Sequence, residues 1–201
     1  MTPATALERI RAADAALSAS GATPFPLPIG ELLPVVAGTV SALSRGDWWV
    51  PGLRERAGAV VRDVPLERLI DGLAGARPYR VAPPSPDGAL RALYAVGLAL
   101  SDPQRAAVVH LGLGSMGDGA AHEALNLAAL LEANVVFVVA VHPLGDGAPL
   151  GRQLATSPAA LAAGLGVAVT EVDGSDAEAV AGAVADARSQ PGPHLVVARL
   201  P

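Results

Sequence analysis

The chain contains no lysine and no cysteine, and only 3% of its 201 residues are aromatic. Without lysine there is no Schiff base, no covalently held pyridoxal cofactor and no P-loop lysine on a phosphate. Without cysteine there is no thiol nucleophile, disulfide, iron–sulfur cluster or thiolate zinc site. All 14 basic residues are arginine, and the net charge is −5. That balance offers no electrostatic footprint for nucleic acid, and so few aromatics give no stacking platform for single strands.

What is present is apolar: 51% of residues are hydrophobic and mean hydropathy is +0.42, which excludes a disordered chain. The length suits a single domain over 1–201. The first twenty residues carry Glu8, Arg9, Arg11 and Asp14 within their apolar pattern, unlike a signal peptide. The apolar run Val135 to Val141 is far too short to cross a bilayer. The expectation is a cytoplasmic protein that engages neither membrane nor nucleic acid.

Residues 1–80 read as a helical N-terminal segment and 81–201 as a parallel α/β core. Helices are expected over 4–19, 30–44, 53–62 and after Pro65, with a break at 20–28 and a proline-rich connection at 75–86. Beyond 87 the pattern alternates. Helices are expected at 88–100, 120–133, 158–164 and 176–189, and strands at 106–111, 134–141, 166–172 and 194–200. Ser157 and Ser175 stand where caps belong. Alternating strands and helices imply a parallel sheet with helices on both faces. His110 reads as a core or edge residue and His194 as a surface one. Adjacent Trp48 and Trp49 should face different ways, packed in the domain or at a subunit interface.

Ligands of such sheets sit at the carboxyl ends of the strands, where 112–119 and 142–157 are glycine-rich. Gly112-Leu113-Gly114-Ser115-Met116-Gly117 matches the dinucleotide fingerprint. However, the next strand ends Ala140-Val141-His142, with no acid for a ribose, and the helix starts only after Gly119. Asp118 and His122, four residues apart, could share a metal with His142, against the alternative that Asp118 serves the helix N-terminus. Ser115 could cradle an anion or be an ordinary turn residue.

The segment GLGSMGDGAAHEALNLAALLEANVVFVVAVHP resembles the cofactor-binding region of alpha-type subunits of thiamine-diphosphate-dependent 2-oxo acid dehydrogenases. His122-Glu123-Ala124-Leu125-Asn126 is similar to that family's HEALN helix and Val135-Val136-Phe137-Val138 to its next strand. Further pieces follow in the same order: Asp47-Trp48-Trp49 with Pro51 and Arg54, Ser85-Pro86, Val172-Asp173-Gly174-Ser175-Asp176 and Gly192-Pro193-His194-Leu195. The resemblance implies a thiamine-diphosphate-binding α/β fold, thiamine diphosphate with Mg²⁺ as cofactor, and a homodimer or an assembly with a beta-type dehydrogenase subunit. It places cofactor contacts at Arg54, Ser85, Asp87, Gly112, Leu113, Gly114, Ser115 and His142. It assigns no catalytic residue here, since the carboxylate that activates the thiazolium comes from the beta partner.

The metal ligands depart from the family. With the HEALN helix aligned without gaps, the Asp of the family's Gly-Asp-Gly turn falls on Leu113, its Asn on His142, and a further ligand on Leu144. A gapped register on Gly117-Asp118-Gly119 restores the Asp but leaves His142 in place of the Asn. Gly145-Asp146-Gly147 reads as a turn. The chain ends at Pro201, where the family continues into Thr-Tyr-Arg and a loop bearing a functional His. These departures predict a relative with impaired or lost Mg²⁺–thiamine diphosphate binding.

Overall fold

A computed structural model of the chain describes residues 1–21, 28–70, 77–142 and 149–201. Five parallel strands form one sheet in the order β1-β2-β3-β5-β4. They are β1 (Trp48–Val50), β2 (Ala107–Gly112), β3 (Val135–Val141), β4 (Ala168–Asp173) and β5 (His194–Arg199). The helices are α1 (Pro3–Ser20), α2 (Leu33–Ala42), α3 (Leu66–Ile70), α4 (Gly88–Ser101), α5 (Gly119–Leu130), α6 (Pro158–Gly164) and α7 (Ala177–Ser189).

Central β3 is a near-continuous β-branched run, as a strand covered on both faces requires. Its odd positions Phe137 and Val139 join Val109, Leu111 and Leu195 against α4, α5 and α6. Its even positions Val136 and Val138 pack with Val108, Val196 and α7 residues Val180 and Val184 on the other face. A third cluster ties α1, through Ile10 and Leu17, to α2 and to Trp49. The period of two along the strands thus splits the apolar residues between two helical layers.

The alternating pattern is reproduced within three residues at every boundary, the largest difference being the end of α5 at Leu130, and the differences are local. Trp48–Val50 is a strand inside the segment expected to be helical, pairing with Ala107–Val109 of β2. Three residues are too few to show a period. Residues Glu55–Arg62 form a 3-10 helix rather than an α-helix, and 3-10 turns at Gly30–Leu32 lead into α2. Ser157 caps α6 through the Ala160 amide. At α7 the cap is Asp176, which accepts from the Glu178 and Ala179 amides. Ser175 instead binds the Asp173 carboxylate, because an acid is the stronger acceptor for two amide donors. His194, expected at the surface, is 7% exposed. It begins β5 between two strands and turns its ring toward Gln190 and the Gly192 carbonyl. The breaks at Pro24 and Pro26, Leu144 and the Gly145-Asp146-Gly147 turn lie outside the described residues.

Candidate ligand cleft at the carboxyl ends of the strands

A cleft of about 390 Å³ opens above the carboxyl ends of β2, β3 and β5, where a parallel α/β sheet binds ligands. Of the residues expected at the cofactor, Arg54, Gly112, Leu113, Ser115 and His142 line it. Gly114 sits in the adjoining 3-10 turn Leu113–Gly117. Ser85 and Asp87 flank the lining residue Pro86. Both are engaged locally: Ser85 Oγ accepts from the Asp87 amide, and Asp87 caps α4 through the Leu90 amide.

The glycine loop does not lead into a helix. β2 runs to Gly112, the 3-10 turn occupies Leu113–Gly117, and α5 begins at Gly119. No helix N-terminus therefore stands over the fingerprint where a pyrophosphate would need it. Asp118 occupies the N-cap position of α5 but makes no side-chain capping bond. His122 turns Nε2 to the Met116 carbonyl at 3.0 Å. Among the described residues no three His, Asp or Glu side chains converge on a possible metal position.

Leu113 is 3% exposed and packs with Met116, Leu111 and Val139 in the core. An apolar group there offers no oxygen to a hard cation, which takes carboxylate, carbonyl and water ligands. At the end of β3, His142 supplies imidazole where the family's amide oxygen is expected. Two carboxylates do line the cleft, Glu31 and Glu55, but each stands by a guanidinium. Arg54 Nη2 meets Glu31 Oε1 at 3.2 Å, and the attraction of Glu55 offsets part of the burial that lowers the Arg91 pKa. Among the described residues the donor set does not fit a diphosphate held through magnesium.

Sequence reasoning missed Glu31, Glu55, Arg91 and His110 as cleft residues. Arg91 is 5% exposed. It donates from Nη2 to the His110 carbonyl at 3.1 Å and from Nη1 to the Ser85 carbonyl. Its presence on the buried face of an otherwise apolar helix, ALRALYAVGLAL, was the signal available. His110 lies edge-on to Trp49 with ring centroids 6.0 Å apart. Burial first, then the Arg91 charge, push its pKa down to about 3, so its ring is neutral. Glu31 is held below the usual carboxylate range, chiefly by a bond from its own backbone amide and then by Arg54. Gly52 brings the floor together: a side chain there would collide with the Glu55 carboxylate and the Arg91 guanidinium.

This sheet with helices on both faces is shared with several solved structures. Transketolase from Campylobacter jejuni superposes with a TM-score of 0.76 over 96% of this chain and 37% of its own, at 17% identity. Transketolase from Leishmania mexicana gives 0.73 over 100% of this chain and 36% of its own, at 18% identity. A putative thiamin diphosphate-dependent enzyme from Mycobacterium smegmatis gives 0.57 at 21% identity, over 83% of this chain and 31% of its own. In sequence, residues 83–196 match the family described as Dehydrogenase E1 component. The alpha subunit of 3-methyl-2-oxobutanoate dehydrogenase from Mycobacterium tuberculosis is 33% identical over 179 residues, 80% of this chain and 48% of its own. The chain belongs to the dehydrogenase E1 component family. It is an alpha-subunit-like member that spans about half the length of the curated relatives it matches.

Proposed function

We propose that the chain is a divergent 2-oxo acid dehydrogenase alpha-subunit-like protein whose cleft has lost tight binding of Mg²⁺–thiamine diphosphate. The observation that carries this reading is Leu113, 3% exposed, just after β2, where the ungapped register on the HEALN-like helix puts the family's metal-binding Asp. Arg54, Gly112, Leu113, Ser115 and His142 remain the lining of the inherited cofactor cleft, with Ser85, Asp87 and Gly114 beside it. A diphosphate entering without a metal needs its negative charge neutralised by the protein alone. With no lysine, only Arg54 and Arg91 line the described cleft to do so, and each is already opposed by a carboxylate.

Assembly with a beta-type subunit, or as a homodimer, is supported by an apolar surface on the α4–α5 side. Tyr94 is 56% and Leu130 70% exposed, and Trp48, Leu93 and Leu98 line an open groove beside Tyr94. An exposed apolar groove of this kind marks an interaction site.

Isothermal calorimetry with thiamine diphosphate tests the reading, with and without Mg²⁺. The expected result is no metal-dependent heat at micromolar ligand. Tight binding that EDTA abolishes would overturn the proposal.

A further inference from the structure

The cleft that lacks a metal site is nonetheless charged, and its charges are arranged in opposition. Among its described lining residues are two carboxylates, Glu31 and Glu55, and two guanidiniums, Arg54 and Arg91. With His110 neutral by burial, these four side chains sum to zero. The Glu31–Arg54 pair is at the rim, with side chains 49% and 37% exposed. Arg54 is anchored there by the Pro28 and Ile29 carbonyls through Nε and Nη2, and its Nη1 makes no hydrogen bond among the described residues. The Glu55–Arg91 pair is in the floor, 8% and 5% exposed, with Gly52 between them. Two polar atoms in the same wall, Arg91 Nε and His110 Nε2, have no hydrogen-bond partner among the described residues. Unpartnered buried polar atoms are rare in a folded chain and call for an explanation. The remaining wall includes Ser115 and His142 beside the aliphatic Leu32, Leu53, Leu113 and Leu200.

A diphosphate would bring several negative charges to a cleft whose every described cation is already opposed by an acid. A simple carboxylate or a simple amine would leave one unit of charge unbalanced in a half-enclosed apolar site, which is unfavourable. A molecule carrying both charges avoids either penalty. Its carboxylate takes the Arg54 guanidinium and its ammonium the Glu31 carboxylate, replacing one rim ion pair with two charge-assisted contacts. An aliphatic tail then covers the leucines. The volume falls within the range of small-molecule sites.

We infer that the cleft is a metal-independent site for a zwitterionic aliphatic amino acid, held between Arg54 and Glu31. The inference rests on the proposed loss of metal–diphosphate binding, and the experiment separates the two. Thermal unfolding of the full chain is followed in EDTA against L-norleucine, hexanoate and pentylamine, which share one tail and differ only in charged groups. Glycine supplies the zwitterion without the tail. Norleucine is expected to raise Tm by about 5 °C at concentrations near a hundred times its Kd, the shift growing with the logarithm of concentration. Hexanoate, pentylamine and glycine are expected to bind about tenfold more weakly or worse. Glu31→Gln should weaken norleucine about tenfold while sparing or improving hexanoate, and Arg54→Gln should do the reverse, sparing pentylamine. Both positions are partly exposed, so both variants fold. The inference is overturned if norleucine gives no concentration-dependent shift, if hexanoate matches it, or if both variants bind norleucine like the parent. Should thiamine diphosphate bind with Mg²⁺, the underlying reading falls as well. Should neither ligand bind, only the present inference falls.

Discussion

At the scale of single residues, the strongest anchor is at the end of the sheet opposite the cleft. Asp47 is 2% exposed. One carboxylate oxygen accepts from the Ala106 amide at 3.2 Å, and the other from the Ser44 amide at 2.7 Å and from Arg188 Nε at 2.9 Å. It thereby joins the turn before β1, the entry to β2 and the last turn of α7. Removing one partner of such a pair leaves the other donors unsatisfied. Asp47→Ala is expected to lower unfolding free energy by about 3 kcal/mol in urea titrations, with an unchanged m-value. A loss below about 1 kcal/mol would show that the network contributes only as a surface pair does. The sequence presented this aspartate as one letter of a family stretch. Its partners lie 59 and 141 residues away, and no local pattern encodes such separations.

At the scale of elements, close approach of helices is decided by small residues. Gly38 in α2 meets α7 so tightly that a Cβ would stand 2.6 Å from the Ala177 carbonyl oxygen and 2.8 Å from Val180 Cβ. Backbone cannot rotate out of the way, so Gly38→Ala must push α2 off α7. Overpacking of this kind costs about 1–3 kcal/mol, and the better helix propensity of alanine returns about 1. A net loss of about 1 kcal/mol in denaturant unfolding is expected. By contrast, Gly97 in α4 has open space around its Cβ position, and Gly97→Ala should be neutral or stabilising by about 1 kcal/mol. Both glycines stand in helical sequence and look alike there. The helix at 158–164 was legible because Ser157 stands where a cap belongs and Pro158 suits the first turn. The strand Trp48–Val50 was not, because its pairing with β2 rather than its pattern makes it a strand.

At the scale of the whole molecule, His110 couples folding to pH. Its pKa is about 3 in the folded chain against about 6.5 in an unfolded one. The unfolded state therefore binds the extra proton between those values. His110 contributes full stability above pH about 6.5, and that contribution declines as pH falls toward 3. Between pH 7 and 5 the loss amounts to about 2 kcal/mol. His110→Phe keeps an aromatic ring against Trp49 and removes the titration. Chemical denaturation of both proteins at pH 7, 6 and 5 should show the parent losing stability faster by that amount. Parallel pH profiles would contradict the buried, neutral imidazole. No helix among the described residues is long and apolar enough to cross a membrane.

The sequence by itself determined the class of architecture, since alternating strand and helix periods leave a parallel sheet with helices on both faces as the packing that buries them. It also determined the resemblance, through collinear motifs, and the absence of lysine and thiol chemistry. The resemblance pointed to Arg54, Gly112, Leu113, Ser115 and His142, while the loops at 112–119 and 142–157 were also legible as strand ends, where ligands gather. Only the tertiary structure decided that Glu31, Glu55, Arg91 and His110 join them. Those four come from a 3-10 turn, a 3-10 helix, an α-helix and a strand interior, so no local spacing relates them. Their opposition of charge arises from through-space proximity in a half-enclosed cleft, where Coulomb energy depends on distance and burial and not on separation along the chain.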